Sequence, residues 1–198
     1  MERMLAVMAE NPGAAGAGLV AMLCLAAWPL FRTRSKMLTT YIGNNLGFGV
    51  HYALLGQWTA VAMNGLMVVQ SVVAIWLVRW PRLRWVYFTL MPVLAATSLV
   101  TWQGLPSLLA AVATTLSTIG RMQSNDIVLR VLLLSSIPFW TAHDLVIGSL
   151  PGLIADVLSL GTGATMLLRS PAVRASMMSA IQQVGRRLVR FSPFGQAS

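Results

Sequence analysis

Asp156 stands inside a long apolar run. An ionised carboxylate at the centre of a bilayer-spanning helix costs roughly 2.5–3.5 kcal/mol on insertion scales, so such an acid faces a cavity or a partner. It could bind a polar solute or carry a proton; protonated, it could instead clamp two helices together. Asn64 offers the same choice at lower cost. The chain's two histidines, His51 and His143, each lie one to two turns from the end of an apolar segment. A neutral imidazole can donate to a substrate hydroxyl, and its intrinsic pKa of about 6.5 suits gating by pH. The plainer alternative is an interfacial His bonded to a loop carbonyl. Thr40, Asn44, Phe48 and His51 share one helical face by their spacing, as do Leu132, Ser136, Trp140 and His143. A polar stripe of this kind points at a solute pathway or at a helix interface.

Other chemistries lack their residues. Cys24 is the only cysteine and no Cys-x-x-Cys or His-x-x-x-His pattern occurs, so neither a metal site nor a cofactor is expected. Gly-x-Ser-x-Gly and Walker-type loops are absent. His143 and Asp144 are neighbours in sequence but leave a helix from different faces, which makes a poor catalytic dyad. No enzymatic activity is expected.

The elements that position these residues follow from composition. Of 198 residues 57% are hydrophobic and only 10% charged, against about 25% charged in a soluble domain. The expected solvent is lipid. Apolar segments at 16–31, 37–55, 58–78, 85–102, 105–120, 127–147 and 153–168 alternate with short polar breaks. Each approaches the roughly 20 residues of a bilayer-spanning helix. Seven transmembrane helices are predicted. The net charge of +9 would suggest nucleic acid for a soluble chain. Here the basic residues crowd the breaks after the first, third and fifth segments and the tail, and on the opposite side only Arg3 is found. The positive-inside rule then places the N-terminus outside and the C-terminus in the cytoplasm. In the tail Val173, Met177, Ile181, Val184, Leu188 and Phe191 form one helical face beside Arg174, Arg186, Arg187 and Arg190. That pattern predicts an interfacial helix on anionic lipid.

A shift of 92 residues lays His51 on His143, Gly56 on Gly148, Phe48 on Trp140 and Asn64 on Asp156. Helices one to three thus match helices five to seven, with the fourth as a linker, a 3+1+3 plan whose halves share one orientation. This plan resembles the SWEET sugar transporters and the wider PQ-loop group. Arg130, Trp140, the turn at Gly148 and Asp156 carry the resemblance, with Pro29 similar to that group's hinge proline. The resemblance implies that the aromatic of each middle helix and the polar residue sixteen positions later, Phe48 with Asn64 and Trp140 with Asp156, line a substrate cavity. The run His51-Tyr52-Ala53-Leu54-Leu55-Gly56 and the small-residue segment after it resemble the bacterial inner-membrane family YgjV over roughly residues 15–170.

The expected fold is therefore an all-α integral membrane protein of seven transmembrane helices in a SWEET-like 3+1+3 arrangement of two triple-helix bundles. Its parts are an external N-terminal segment (1–15), a first triple-helix bundle (16–78), a basic loop and linker helix (79–104), a second triple-helix bundle (105–169) and a basic amphipathic cytoplasmic tail (170–198). The expected function is transport of a small sugar-like or other polar solute across the bacterial inner membrane by alternating access. Asn44, Phe48, Asn64, Trp140 and Asp156 would bind it, with His51 and His143 toward the outer mouth. The alternative is a non-transporting membrane protein that binds a small ligand or a lipid in the same cavity. The partners expected are the lipid bilayer and an unknown small polar solute. Protons are a candidate coupling ion and a homo-oligomer stays open; nucleic acid is not expected.

Overall fold

The computed structural model describes residues 9–171. The first eight residues and the tail from 172 on, with its predicted interfacial helix, lie outside the described residues. Among the described residues seven long helices follow one another: α1 (Pro12–Ala27), α2 (Arg34–Leu54), α3 (Trp58–Leu77), α4 (Arg84–Val100), α5 (Leu105–Arg121), α6 (Asp126–Ile147) and α7 (Leu150–Arg169). Short 3-10 turns at Trp28–Leu30 and Pro81–Leu83 lie after α1 and before α4. Residues up to Gly163 cluster as one unit; Ala164–Ser198 form a second, whose described part is chiefly the end of α7.

Local chemistry sets the ends of these helices. Gly56, Gly104 and Gly148 have φ of 71, 84 and 80°, a region that side chains with a Cβ rarely occupy. They make the three breaks that hold no Lys or Arg. At Gly148 the left-handed residue closes α6, its N–H donating to the Asp144 carbonyl at 2.9 Å. Asn125 starts α6 by accepting from the N–H groups of Ile127 (2.8 Å) and Val128 (3.2 Å).

Side chains are distributed inside out relative to a soluble protein. Large apolar groups face outward, among them Trp85, Leu99 and Val100 at 71, 74 and 86% exposure, while Gln70, Thr114, Ser136 and His51 are fully buried. Trp58, Trp80, Trp85 and Trp102 are exposed near helix ends, where indole rings anchor at the membrane interface. Four stretches are long and apolar enough on their own to cross a bilayer: Pro12–Leu30, Trp58–Leu77, Pro81–Val100 and Leu150–Arg169. Outside this set α5 has only 17 residues. Helices α2 and α6 carry the buried polar residues, which lower their average while their outward faces remain apolar, as at Leu46, Val50, Val131 and Phe139.

Two basic residues assigned by sequence to cytoplasmic breaks are not loop charges. Arg34 is the first residue of α2 and only 9% exposed; Arg121 ends α5 and is 0% exposed. Arg34 donates to the carbonyls of Ala74 and Arg121, and Arg130 donates to those of Pro29 and Phe31. Arg34 of α2 thus reaches the carbonyl that ends α5, and Arg130 of α6 reaches carbonyls that follow α1, places where the helix dipole favours a cation.

Helices α1 and α3 both pack closely on α2, α5 packs on α6, and α3 also meets α5. Gly47 lets α2 approach α1, since a Cβ there would meet the Ala21 Cβ at 2.8 Å. Helix α4 packs against α3 and α5 and is tied to α3 by the Tyr87 hydroxyl donating to the Gln70 carbonyl at 2.7 Å. Several contacts obey the repeat. Arg34 pairs with Asp126 at 3.1 Å and Tyr52 donates to Asp144 at 2.8 Å, both across 92 residues. Thr118 donates to the Gln70 side chain and Thr162 to the Ala26 carbonyl; here too 118−26 and 162−70 equal 92.

Candidate functional site

Helices α2 and α6 run side by side in the same direction. Two of their cross-contacts, Arg34–Asp126 and Tyr52–Asp144, are 18 residues apart on both helices (52−34 and 144−126), about 27 Å at 1.5 Å per residue. Only parallel helices in register can make both. Between these contacts lies a cavity lined by Leu25, Tyr41, Asn44, Asn45, Phe48, Tyr52, Asn64, Met67, Ile137, Trp140, Asp144 and Asp156.

The sixteen-residue spacing has a simple geometric cause. Phe48 and Asn64 lie eight residues before and after Gly56, and Trp140 and Asp156 eight before and after Gly148. Each glycine reverses the chain, so both members of a pair return to the same depth. All four residues line the one cavity, together with Asn44. His51 and His143 lie toward its Gly56 and Gly148 end but are not in the lining.

Asp156 is 3% exposed and its Oδ2 accepts from the Thr141 hydroxyl at 2.8 Å. Asn64 spends a donor on its own helix, Nδ2 to the Ala60 carbonyl at 2.8 Å. Asn44 Nδ2 donates weakly to Asn45 Oδ1, at 3.3 Å. Asn44 Oδ1 and Asn45 Nδ2 are then left without partners, although the two residues are 4 and 1% exposed. A buried polar atom left unpaired costs about 1–3 kcal/mol. One unpaired acceptor and one unpaired donor therefore belong to residues that line the same space.

Aromatic rings wall the cavity. Tyr52 stacks on Phe48 (5.5 Å, 18°) and on Trp140 (6.1 Å, 9°), so the repeat-related aromatics sandwich it. His51 and His143 both stand edge-on to Tyr52 at 5.2 Å. Their hydrogen bonds differ. Nδ1 of His51 lies 2.7 Å from the Ala14 carbonyl, which can only accept, so Nδ1 carries the proton and neutral Nε2 accepts from the Ser149 hydroxyl at 2.9 Å. His51 thereby bolts α1 to the α6–α7 turn. His143 Nδ1 lies 3.0 Å from Asp144 Oδ1, the oxygen that also receives the Tyr52 hydroxyl. The expectation that His143 and Asp144 point apart is corrected: near the end of α6 both side chains bend into one buried cluster. They are two potential metal ligands, and among the described residues no third joins them.

The stripes resolve differently along the two middle helices. Asn44 and Phe48 face the cavity, but Thr40 bonds back to the Lys36 carbonyl. Ser136 meets Ser117 of α5 at 3.0 Å, a helix interface, and Leu132 packs by Gly120. Sequence reasoning missed Tyr41, Asn45, Tyr52, Met67 and Asp144. Asp144 and Tyr52 stand 92 residues apart, and that register was the available signal.

Opposite the Tyr52–Asp144 end, Tyr41 closes the cavity. Its ring is covered by the Arg121 guanidinium, 4.9 Å from Cζ to the ring centroid, and Trp28 meets its edge at 5.4 Å. The free volume inside the cavity is about 20 Å³; one water molecule needs roughly 10–15 Å³ on that measure.

No curated protein and no solved structure matches the chain significantly. A family model described as bacterial inner membrane protein, Imp-YgjV, matches residues 14–171, a stretch that begins in α1 and runs past the end of α7. The chain belongs to this family of bacterial inner membrane proteins.

Proposed function

We propose that the protein transports a small polar solute across the inner membrane by alternating access, with all seven helices crossing the bilayer in a 3+1+3 plan. The N-terminus is external and the C-terminus cytoplasmic. Asn44, Phe48, Asn64, Trp140 and Asp156 bind the solute, and His51 and His143 brace the outer end. The observation that carries this reading is the cavity itself, where Asp156 and the unpaired Asn44 Oδ1 and Asn45 Nδ2 offer a carboxyl group, an acceptor and a donor inside an apolar solvent. Such groups are costly unless something polar visits them. The four repeat contacts support the 3+1+3 plan.

Alternating access has a natural pair of latches here. Tyr52–Asp144 holds α2 to α6 at one end and Arg34–Asp126 at the other. Releasing one while keeping the other opens the cavity to one side only, and exchanging them reverses the access. In this reading the arrangement with both latches made is the occluded state. The chemistry is binding and translocation, with no bond made or broken in the solute.

Metabolite profiling of a deletion strain against an overexpressing strain identifies the solute, and uptake into vesicles holding the purified protein then tests the reading. Asp156→Asn keeps shape and hydrogen-bonding capacity while removing the titratable group. For a proton-coupled carrier it abolishes concentrative uptake and spares exchange; for a uniporter both survive. Asp156→Leu impairs both. Binding of the solute without any flux in the wild-type protein would replace transport by the alternative, a ligand-binding membrane protein.

A further inference from the structure

Arg121 is the only arginine among the described residues with no exposed surface, and among those residues no carboxylate pairs with it. Its guanidinium is held by neutral groups. Nε donates to the Ser71 hydroxyl at 3.1 Å, Nη1 approaches Gln70 Oε1 at 3.5 Å, and the Tyr41 ring lies under the cation. Nη2 has no partner. Arg34 adds a second guanidinium close by, donating to the Arg121 carbonyl at 3.3 Å, and its own counter-ion Asp126 is half exposed.

The unpaired groups around Arg121 are mostly donors. Gln70 turns its oxygen toward Arg121 and Thr118, which leaves Nε2 buried and without a partner. A water molecule would satisfy one or two of these hydrogens and leave the charge uncompensated. An anion satisfies the donors and neutralises the guanidinium together, and Arg presents its N–H groups in the fork that suits oxyanions. Isolated charges in a low-dielectric interior are strongly penalised without such a counter-charge.

We propose that Arg121 and Gln70 form an occluded anion-binding site between α3 and α5, separated from the central cavity by the Tyr41 ring. The ligand is a small anion, either a free inorganic ion or the carboxylate or phosphate of a larger solute. The site does not depend on transport, since a protein that only binds would need the same counter-charge.

The test uses the full-length protein in detergent, with thermal unfolding followed by its tryptophan fluorescence at constant ionic strength. Gluconate, a bulky and weakly binding anion, is replaced in turn by chloride, formate, acetate and phosphate. The expected result is a saturable rise in Tm, about 3–6 °C at ten times the dissociation constant, that is lost in Arg121→Gln. A rise with chloride or formate assigns the site to a free ion; a rise with acetate or phosphate alone assigns it to the anionic group of a solute. No rise in the wild-type protein, or an equal rise in Arg121→Gln, overturns the proposal. Should Arg121→Gln fail to fold, anomalous scattering from wild-type crystals soaked in bromide decides. A peak within hydrogen-bond distance of Arg121 Nη2 or Gln70 Nε2 is expected, and its absence overturns the proposal.

Discussion

Tyr52 donates its phenolic proton to Asp144 at 2.8 Å, and the two residues are related by the same 92-residue interval that relates His51 to His143. The bond joins corresponding positions of α2 and α6. The Arg34–Asp126 pair meets the same condition at the far ends of α2 and α6. The cavity lies between these two contacts of α2 with α6.

Removing the Tyr52 hydroxyl breaks a buried hydrogen bond to a carboxylate. Tyr52→Phe is expected to destabilise the protein by about 1.5–3 kcal/mol. Asp144→Asn, which keeps an acceptor in place, costs less. Denaturant unfolding of the two single variants and the double variant checks this; strictly additive effects would show that the pair is not coupled.

The Arg34–Asp126 ion pair contributes little as a pair, because the Asp126 side chain is 48% exposed and such pairs are worth about 0–1 kcal/mol. Asp126→Asn is expected to unfold within about 1 kcal/mol of the wild type. Arg34→Met strands the Ala74 and Arg121 carbonyls that Arg34 now satisfies. It should cost at least twice as much. Equal losses in the two variants would put the stabilisation in the ion pair instead.

Two glycines separate close approach from helix propensity. A Cβ on Gly152 would lie 1.7 Å from Asp144 Oδ2, so Gly152→Ala must displace the carboxylate and disturb its bond to Tyr52. A loss of about 2 kcal/mol or more is expected, as for other breaks in buried networks. Gly65 has open space around its Cβ position, and Gly65→Ala should be neutral or stabilising by up to about 1 kcal/mol. Thermal unfolding of the two variants in one detergent makes the comparison; a Gly152→Ala protein as stable as Gly65→Ala would refute it.

Topology is open to direct measurement. A reporter joined after Arg84 is expected in the cytoplasm and one inserted near Gln103 outside, because exposed Arg79, Arg82 and Arg84 border one break and no Lys or Arg borders the other. A cytoplasmic reporter near Gln103 would remove the seven-span topology.

Much of the architecture is written in local sequence. The helix boundaries agree with the apolar segments to within a few residues, since alternation of apolar runs with glycine, proline and charge is a short-range signal. Equal depth of Phe48 with Asn64, and of Trp140 with Asp156, also follows from local facts, each pair being centred on a glycine that reverses the chain. What the sequence alone could not decide was the rotation of each helix about its own axis and the partner it meets. Thr40 and Ser136 sit in the predicted stripes, yet one bonds back to its own helix and the other meets α5. His51 and His143 share a register but not hydrogen-bond partners, because Ser149 reaches His51 from 98 residues away while Asp144 reaches His143 from the next position. Arg121 reads as a loop charge until α3 is packed beside it and Ser71, Gln70 and Tyr41 surround it. These outcomes depend on contacts between distant segments, and such contacts leave no periodicity along the chain by which to read them.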